Sequence, residues 1–244
     1  MRILILGGIA EAKTLATTLR ETHGHSVIYS IAGIGRNIVN TPSWYRIGGF
    51  GGLPGLIDTI KHQRIERVID ATHPYAARIS QHAWQACQVT DIELWAYRRP
   101  SWLPEAEDRW DSFSDWQNMA EKLKPYHRPF FSIGSLPFTH SDEIPAQQEW
   151  LVRALRTPTN YPIANHLTVI EDMGPFQINT ELALLKQYNI DIIVSKNSGS
   201  PAVAAKLLAA RQLKLPILMQ CRPKLPEVTP SFDNIHALLT ALLS

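Results

Sequence analysis

Glycines, hydroxyls and isolated cations recur in this chain where an apolar run gives way to a polar turn, a setting in which backbone N–H groups hold anions. Gly7-Gly8-Ile9-Ala10-Glu11-Ala12 follows one such run and opens a helical pattern, so its amides and the helix dipole are placed for a pyrophosphate. It is not a full Gly-x-Gly-x-x-Gly, although the small Ala12 stands where the last glycine of that pattern permits close helix–sheet contact; a plain tight turn is the competing reading. The next apolar run ends Ser30-Ile31-Ala32-Gly33 without the acid that holds ribose hydroxyls in NAD sites, and Arg36 follows. This suits a 2′-phosphate, hence NADP over NAD, with a solvated loop arginine as the alternative.

Gly48-Gly49-Phe50-Gly51-Gly52 places four glycines in five residues, a turn able to approach a flat ligand or adopt positive φ, with Phe50 available to lie against a ring. A glycine-rich hairpin without a ligand is the alternative. In Asp70-Ala71-Thr72-His73-Pro74-Tyr75, Pro74 fits a first helical turn, which puts Thr72 and His73 at an amino end where anions are favoured. His73 is read as orienting a cofactor or satisfying the loop backbone, and as a general acid second. Lys196-Asn197-Ser198-Gly199 brings a cation, an amide and a hydroxyl to a second helix start, a carboxylate or phosphate site in which Ser198 can also serve as N-cap. Gly-x-x-x-x-Gly-Lys-Ser/Thr, Gly-x-Ser-x-Gly, His-Glu-x-x-His and Tyr-x-x-x-Lys are absent, which disfavours nucleotide triphosphatases, the commonest hydrolases and sugar-nucleotide epimerases.

Short β-rich runs alternate with amphipathic helical patterns, the rhythm of parallel sheets covered by helices. Strands are predicted at 2–6, 26–31, 45–47, 68–71, 92–97, 130–133, 150–154, 167–170, 190–195 and 217–220. Helices are predicted at 10–20, 54–62, 76–88, 115–123, 178–188 and 202–212, with a last helix capped by Ser231 or Asp233. The aperiodic stretch from Arg98 to Asp111 marks a boundary, giving two Rossmann-like α/β domains at 1–105 and 106–244 with an active-site cleft expected between them. One echo links them. Val68–Tyr75 leads through a helix and a strand to Arg99-Pro100, as Ile193–Gly199 leads to Arg222-Pro223.

The 244 residues carry a net charge of +2, too balanced for the broad basic field of a nucleic-acid-binding surface. Cys87 and Cys221 form neither a metal-ligand pattern nor a disulfide framework, so both are expected as reduced, buried thiols and no metal site is expected. No apolar run approaches the ~18 residues of a membrane span, and a cytoplasmic protein is expected.

Taken in order, Ile3–Gly8 with Glu11-Ala12, Ala32-Gly33, Gly48–Gly52, Asp70–Ala76, Gly174-Pro175-Phe176, Ser195–Gly199, Ala209–Arg211 and Arg222-Pro223 resemble the precorrin-6A reductase family, including its cobalt-precorrin counterpart. Three positions depart from the family pattern: Ile9 replaces a threonine, Ile34 and Gly35 intervene before Arg36, and Ser200 replaces a glycine. The resemblance implies an oxidoreductase of cobalamin biosynthesis that reduces one macrocycle double bond with NADPH. By that resemblance Gly7, Gly8, Ile9, Ala10, Glu11, Ser30, Gly33, Arg36, Gly49, Phe50, Gly51, Thr72 and His73 face the cofactor. Tyr75, Lys196, Asn197, Ser198, Gly199 and Arg222 face the tetrapyrrole, and His73 and Lys196 are the catalytic candidates. A monomer or weak homo-oligomer is expected, and the alternative to a reductase is a non-catalytic NADP-binding sensor.

Overall fold

A computed structural model describes residues 1–32, 42–159 and 164–244. The chain divides into two compact units, one of Met1–Pro100 with Pro223–Ser244 and one of Ser101–Arg222. Each is a three-layer α/β unit built on a six-stranded sheet, and every strand pairing among the described residues is parallel.

The first unit contains β1 (Arg2–Leu6), α1 (Ala10–Glu21), β2 (Ser26–Ile31), β3 (Tyr45–Ile47), α2 (Gly52–His62), β4 (Arg67–Asp70), α3 (Ala77–Thr90) and β5 (Glu93–Tyr97). After the second unit the chain returns to it as β12 (Ser231–Phe232) and α7 (Ile235–Leu243). The alternation of a strand buried on both faces is explicit in β1. Ile3 and Ile5 enter a core with Leu15 and Leu19 of α1 and Leu238 of α7, whereas Leu4 and Leu6 enter another with Leu56 of α2 and Ala83 of α3. Helix α1 buries Ala12, Leu15, Ala16 and Leu19, the i, i+3, i+4, i+7 stripe of an amphipathic helix.

The second unit contains β6 (Trp110–Phe113), α4 (Trp116–Leu123), β7 (Pro129–Ser132), β8 (Trp150–Ala154), β9 (Leu167–Glu171), α5 (Ile178–Gln187), β10 (Ile192–Lys196), α6 (Ala205–Leu213) and β11 (Ile217–Gln220). Short 3-10 segments occupy Leu136–Glu143 and Pro201–Val203. Phe131 and Val194 pack under α4, and Phe130 and Ile193 under α5 and α6.

The strand orders are β12-β5-β4-β1-β2-β3 and β6-β11-β10-β7-β8-β9. Each order reverses direction once, between β1 and β4 in the first unit and between β7 and β10 in the second. The sequence echo therefore joins corresponding strands, β4 with β10 and β5 with β11.

Several expectations are corrected. The second domain read as 106–244 gives up its last 22 residues' worth of chain, Pro223–Ser244, because β12 pairs with β5 (Ser231↔Ala96) and α7 packs on the α1 face. The last helix is capped by Asn234, whose side chain accepts from the N–H groups of His236 and Ala237. Helix α6 starts at Ala205, so Ser198 is not its N-cap; Pro201 opens a separate 3-10 turn. Helix α3 starts at Ala77, leaving Pro74 in the turn before it. Cys87 is buried, with its thiol pushed up to about 12 by desolvation first and by Asp70 second, but Cys221 is exposed just past β11. No helix among the described residues is long and apolar enough to cross a membrane.

Candidate functional site

Ligands of doubly wound sheets bind beyond the carboxyl ends of the strands, where the strand order reverses. In the first unit those ends are β1 and β4. Gly7 N–H donates to the Ser30 carbonyl at 2.8 Å, Ala71 N–H to the Leu6 carbonyl at 2.9 Å and Gly48 N–H to the Ile31 carbonyl at 2.9 Å. These bonds carry the sheet pattern one residue past the strands and bring the Gly7-Gly8, Gly48–Gly52 and Ala71–Tyr75 turns to one edge.

The two glycines of the first turn serve different ends. A Cβ on Gly7 would lie 2.2 Å from Cε2 of Tyr29, so Gly7 is glycine to admit that buried ring, whose hydroxyl accepts from Gly8 N–H at 3.3 Å. Gly8 has φ +129°, and a Cβ there would meet nothing within 4 Å, leaving an open cradle over the start of α1. Ile9 is the N-cap, buried in the core and without a side-chain cap bond, so the first amides of α1 receive no side-chain acceptor from the cap. Ala10 is exposed beside them. An open glycine, uncapped helix amides and a positive dipole end fit a pyrophosphate. Glu11 forms a bidentate pair with Arg99, Nε donating to Oε1 at 2.8 Å and Nη2 to Oε2.

Ser30 is buried, and Gly33 and Arg36 lie outside the described residues. Past β3, Gly48, Gly51 and Gly52 all have positive φ. Arg46 donates to the Gly49 carbonyl at 3.0 Å and its guanidinium lies 4.4 Å from the centre of the Phe50 ring, so cation and aromatic ring fix each other beside the turn.

In the turn after β4 the fully buried Asp70 accepts from Thr72 Oγ1 at 2.8 Å and Thr72 N at 3.2 Å, while its other oxygen pairs with Arg98 at 2.7 Å. Thr72 Oγ1 also lies 3.2 Å from Ser80 Oγ, so the hydroxyl serves the turn itself. His73 Nδ1 accepts from Tyr75 N–H at 3.3 Å, which leaves the proton of the neutral ring on Nε2.

In the second unit the reversal strands are β7 and β10, and the turns beyond them are Ile133-Gly134-Ser135 and Lys196–Ser200. Gly134 has φ +83°, and a Cβ there would sit 4.0 Å from Lys196 Nζ. Burial pushes the Lys196 ammonium below the usual lysine range. The following turn is held by Ser198 Oγ, which accepts from Ser200 N–H at 3.3 Å, and by positive φ at Gly199. Asn197 makes a two-point bond to the backbone of Trp102, accepting from its N–H at 2.8 Å and donating to its carbonyl at 3.0 Å. Arg222 Nε donates to the Asn197 carbonyl at 2.8 Å, which brings the guanidinium to the same turn.

Beneath this turn lies a buried polar group. Arg153 pairs with Glu181 at 2.7 and 3.1 Å, its guanidinium 4.1 Å from the Phe176 ring centre, and Phe176 N–H donates to the Ala202 carbonyl at 2.9 Å. Gly174-Pro175-Phe176 thereby supports the Pro201–Val203 turn. Gly134, Trp102 and the Arg153–Glu181 pair are not among the residues the sequence singles out, and Arg99 enters there only as the end of the echo. Only Gly134 had a local signal, an apolar run ended by Gly-Ser as β1 is ended by Gly-Gly.

The chain matches the family model described as "Precorrin-6x reductase CbiJ/CobK" over residues 2–242. It is 38% identical over 236 residues to a precorrin-6A reductase of Rhodococcus erythropolis, covering 96% of this chain and 94% of that one. It is 37% identical over 227 residues to a precorrin-6A reductase of Rhodobacter capsulatus, covering 92% and 89%. A solved structure of CobK precorrin-6A reductase, 34% identical, superposes with a TM-score of 0.89 over 100% of this chain and 96% of that one. The chain belongs to the precorrin-6x reductase CbiJ/CobK family.

Proposed function

We propose that the protein reduces one double bond of the precorrin-6A macrocycle to the 6B dihydro product, using NADPH, as a step of cobalamin biosynthesis. The observation that carries this reading is the open Gly8 turn with its uncapped helix at the strand reversal of the first unit, in a chain of a reductase family. The cobalt-free macrocycle is proposed first because the relatives at 38% and 37% identity are named for it.

When bound, the nicotinamide supplies the hydride. The chain's own work is to bind, orient and exclude water. Gly8 and the first amides of α1 hold the pyrophosphate, and the Gly48–Gly52 turn with Phe50 lies against the nucleotide. His73, with Nδ1 occupied by Tyr75, presents Nε2–H as a donor that orients the cofactor. Lys196 and Arg222 meet carboxylates of the macrocycle. The lowered proton affinity of Lys196 also suits it as a side-chain source of the proton that completes the reduction. Asn197 holds Trp102 and contributes its position, while Arg36 binds the 2′-phosphate.

Anaerobic incubation of the purified protein with NADPH and precorrin-6A, in parallel with the cobalt form, tests the reading. Loss of reduced-nicotinamide absorbance with appearance of the dihydro product is expected. Cofactor binding without turnover of either macrocycle overturns it and leaves the non-catalytic sensor.

A further inference from the structure

An open pocket of about 440 Å³ lies along β6 from its first residue and beside the carboxyl ends of β10 and β11, with Trp102, Trp110, Asp111, Asn197, Met219 and Arg222 in its wall. All belong to the second unit. The pocket adjoins the turn after Lys196, because Asn197 belongs to both.

Trp102 stands out there for the way it is held. Its backbone is fixed at both N–H and carbonyl by the one side-chain amide of Asn197. Against its ring lies the ammonium of Lys206, 5.1 Å from the ring centre. Lys206 is only 3% exposed and takes no part in the pocket wall, whereas Trp102 belongs to that wall. Lys206 Nζ is itself held by the Val203 carbonyl at 2.9 Å.

Burying an ammonium is costly, and a methionine-like side chain would fill the same space without that cost. What the cation adds is electronic. An ammonium on one face draws density from an indole and leaves the opposite face a better partner for a conjugated ligand that carries carboxylates. Arg222 adds a cation to the wall, the one carboxylate there, Asp111, is paired with Lys122 at 2.6 Å, and Trp110 and Met219 give apolar contact. The volume suits one pyrrole ring with its acidic side chain rather than a whole macrocycle.

We infer that Trp102 is a specificity-determining stacking surface for one edge of the macrocycle, and that Lys206 is the residue that positions and polarises it. This rests on the reductase reading proposed above. Trp102 touches substrate; Lys206 acts through Trp102.

The test uses the whole chain labelled with 5-fluorotryptophan. The fluorine resonance missing from W102F identifies Trp102, and it shifts when precorrin-6A is titrated without NADPH. In turnover, W102L raises the KM for precorrin-6A about tenfold with kcat changed by less than about threefold. K206M raises the same KM by about three- to fivefold, K206R restores part of it, and the KM for NADPH stays put in all variants. An unmoved Trp102 resonance, or a W102L enzyme with the parent KM, overturns the inference while leaving the reductase intact. Absence of turnover by the unaltered protein overturns the reading beneath it, and the inference falls with it. W102F keeps an aromatic face and loses less volume than W102L, so it carries the test where W102L does not fold, with a KM between those of the parent and W102L.

Discussion

Arg99 grips Glu11 through both carboxylate oxygens, and only 6% of the Arg99 side chain and 26% of Glu11 remain in contact with solvent. An acid at the amino end of α1 would by itself repel a phosphate brought there. Paired with Arg99, it instead ties the end of β5 to the start of α1. E11Q keeps the volume and removes the charge, leaving a largely buried guanidinium short of its partner. Urea unfolding is expected to show a loss of about 1–3 kcal/mol; an unchanged midpoint excludes this anchoring role.

Gly7 and Gly8 separate stability from ligand affinity. G7A drives a methyl into the Tyr29 ring and is expected to destabilise by about 1–3 kcal/mol through overpacking. G8A meets no neighbour and places its methyl in the open cradle at an unfavourable φ. It is expected to weaken NADPH at least about tenfold, beyond a folding cost of about 1 kcal/mol. Isothermal titration together with thermal unfolding distinguishes the two variants. Equal NADPH affinities in both would contradict the assignment of the cradle.

Arg36 is placed by sequence alone, past a strand end that lacks the ribose-binding acid. R36A is expected to weaken NADPH about a hundredfold and NADH by less than about threefold, since only the former carries a 2′-phosphate. Equal losses for both cofactors remove the assignment.

His73 is assigned an orienting role, with Nδ1 held by Tyr75. H73A is therefore expected to lower kcat by less than about a hundredfold, the lower end of what a general acid contributes. Pre-steady-state mixing that shows a larger loss in the hydride step, at unchanged NADPH affinity, would make His73 the proton donor instead.

The buried Lys206 gives a pH signature. Desolvation lowers it from 10.5 to about 8, opposed by Glu181 on α5 and reinforced by Arg153 on β8. The unfolded chain keeps this proton up to 10.5, so between about 8 and 10.5 the unfolded state binds more protons and stability rises with pH. Below 8 both states are protonated and the burial penalty is fully present. Denaturant unfolding at several pH values should show the parent gaining about 3 kcal/mol on K206M across that window. Parallel curves for the two proteins would show that Lys206 does not titrate there.

Much of the fold is legible because parallel strands buried on both faces read as short apolar runs ended by turn residues. Arg2–Leu6, Ser26–Ile31, Tyr45–Ile47, Trp150–Ala154 and Ile217–Gln220 have the same bounds in sequence and structure. The runs that escaped are edge strands. Trp110–Phe113 has two exposed residues, and Ser231–Phe232 is two residues long; each is a strand because β11 or β5 offers it a ladder. The site shows the same division. Glycine turns and polar clusters at strand ends are local patterns, and the turns after β1, β4 and β10 are all visible. The commitment of Asn197 to Trp102 and of Glu11 to Arg99 joins residues 95 and 88 positions apart, and nothing local announces it.

The return of β12 and α7 to the first unit sets an order of assembly. The chain leaves that unit after Arg99-Pro100 and re-enters it after Arg222-Pro223. A nascent chain emerging from the ribosome thus completes the whole of Ser101–Arg222 before the first unit receives its last strand and helix. Until then the edge of β5 has an open ladder, and the α1 face lacks Leu238 and Leu242. Loss of the last turns of α7 would consequently damage the unit that holds β1, more than 130 residues earlier in the chain, and spare the Ser101–Arg222 unit that directly precedes the break.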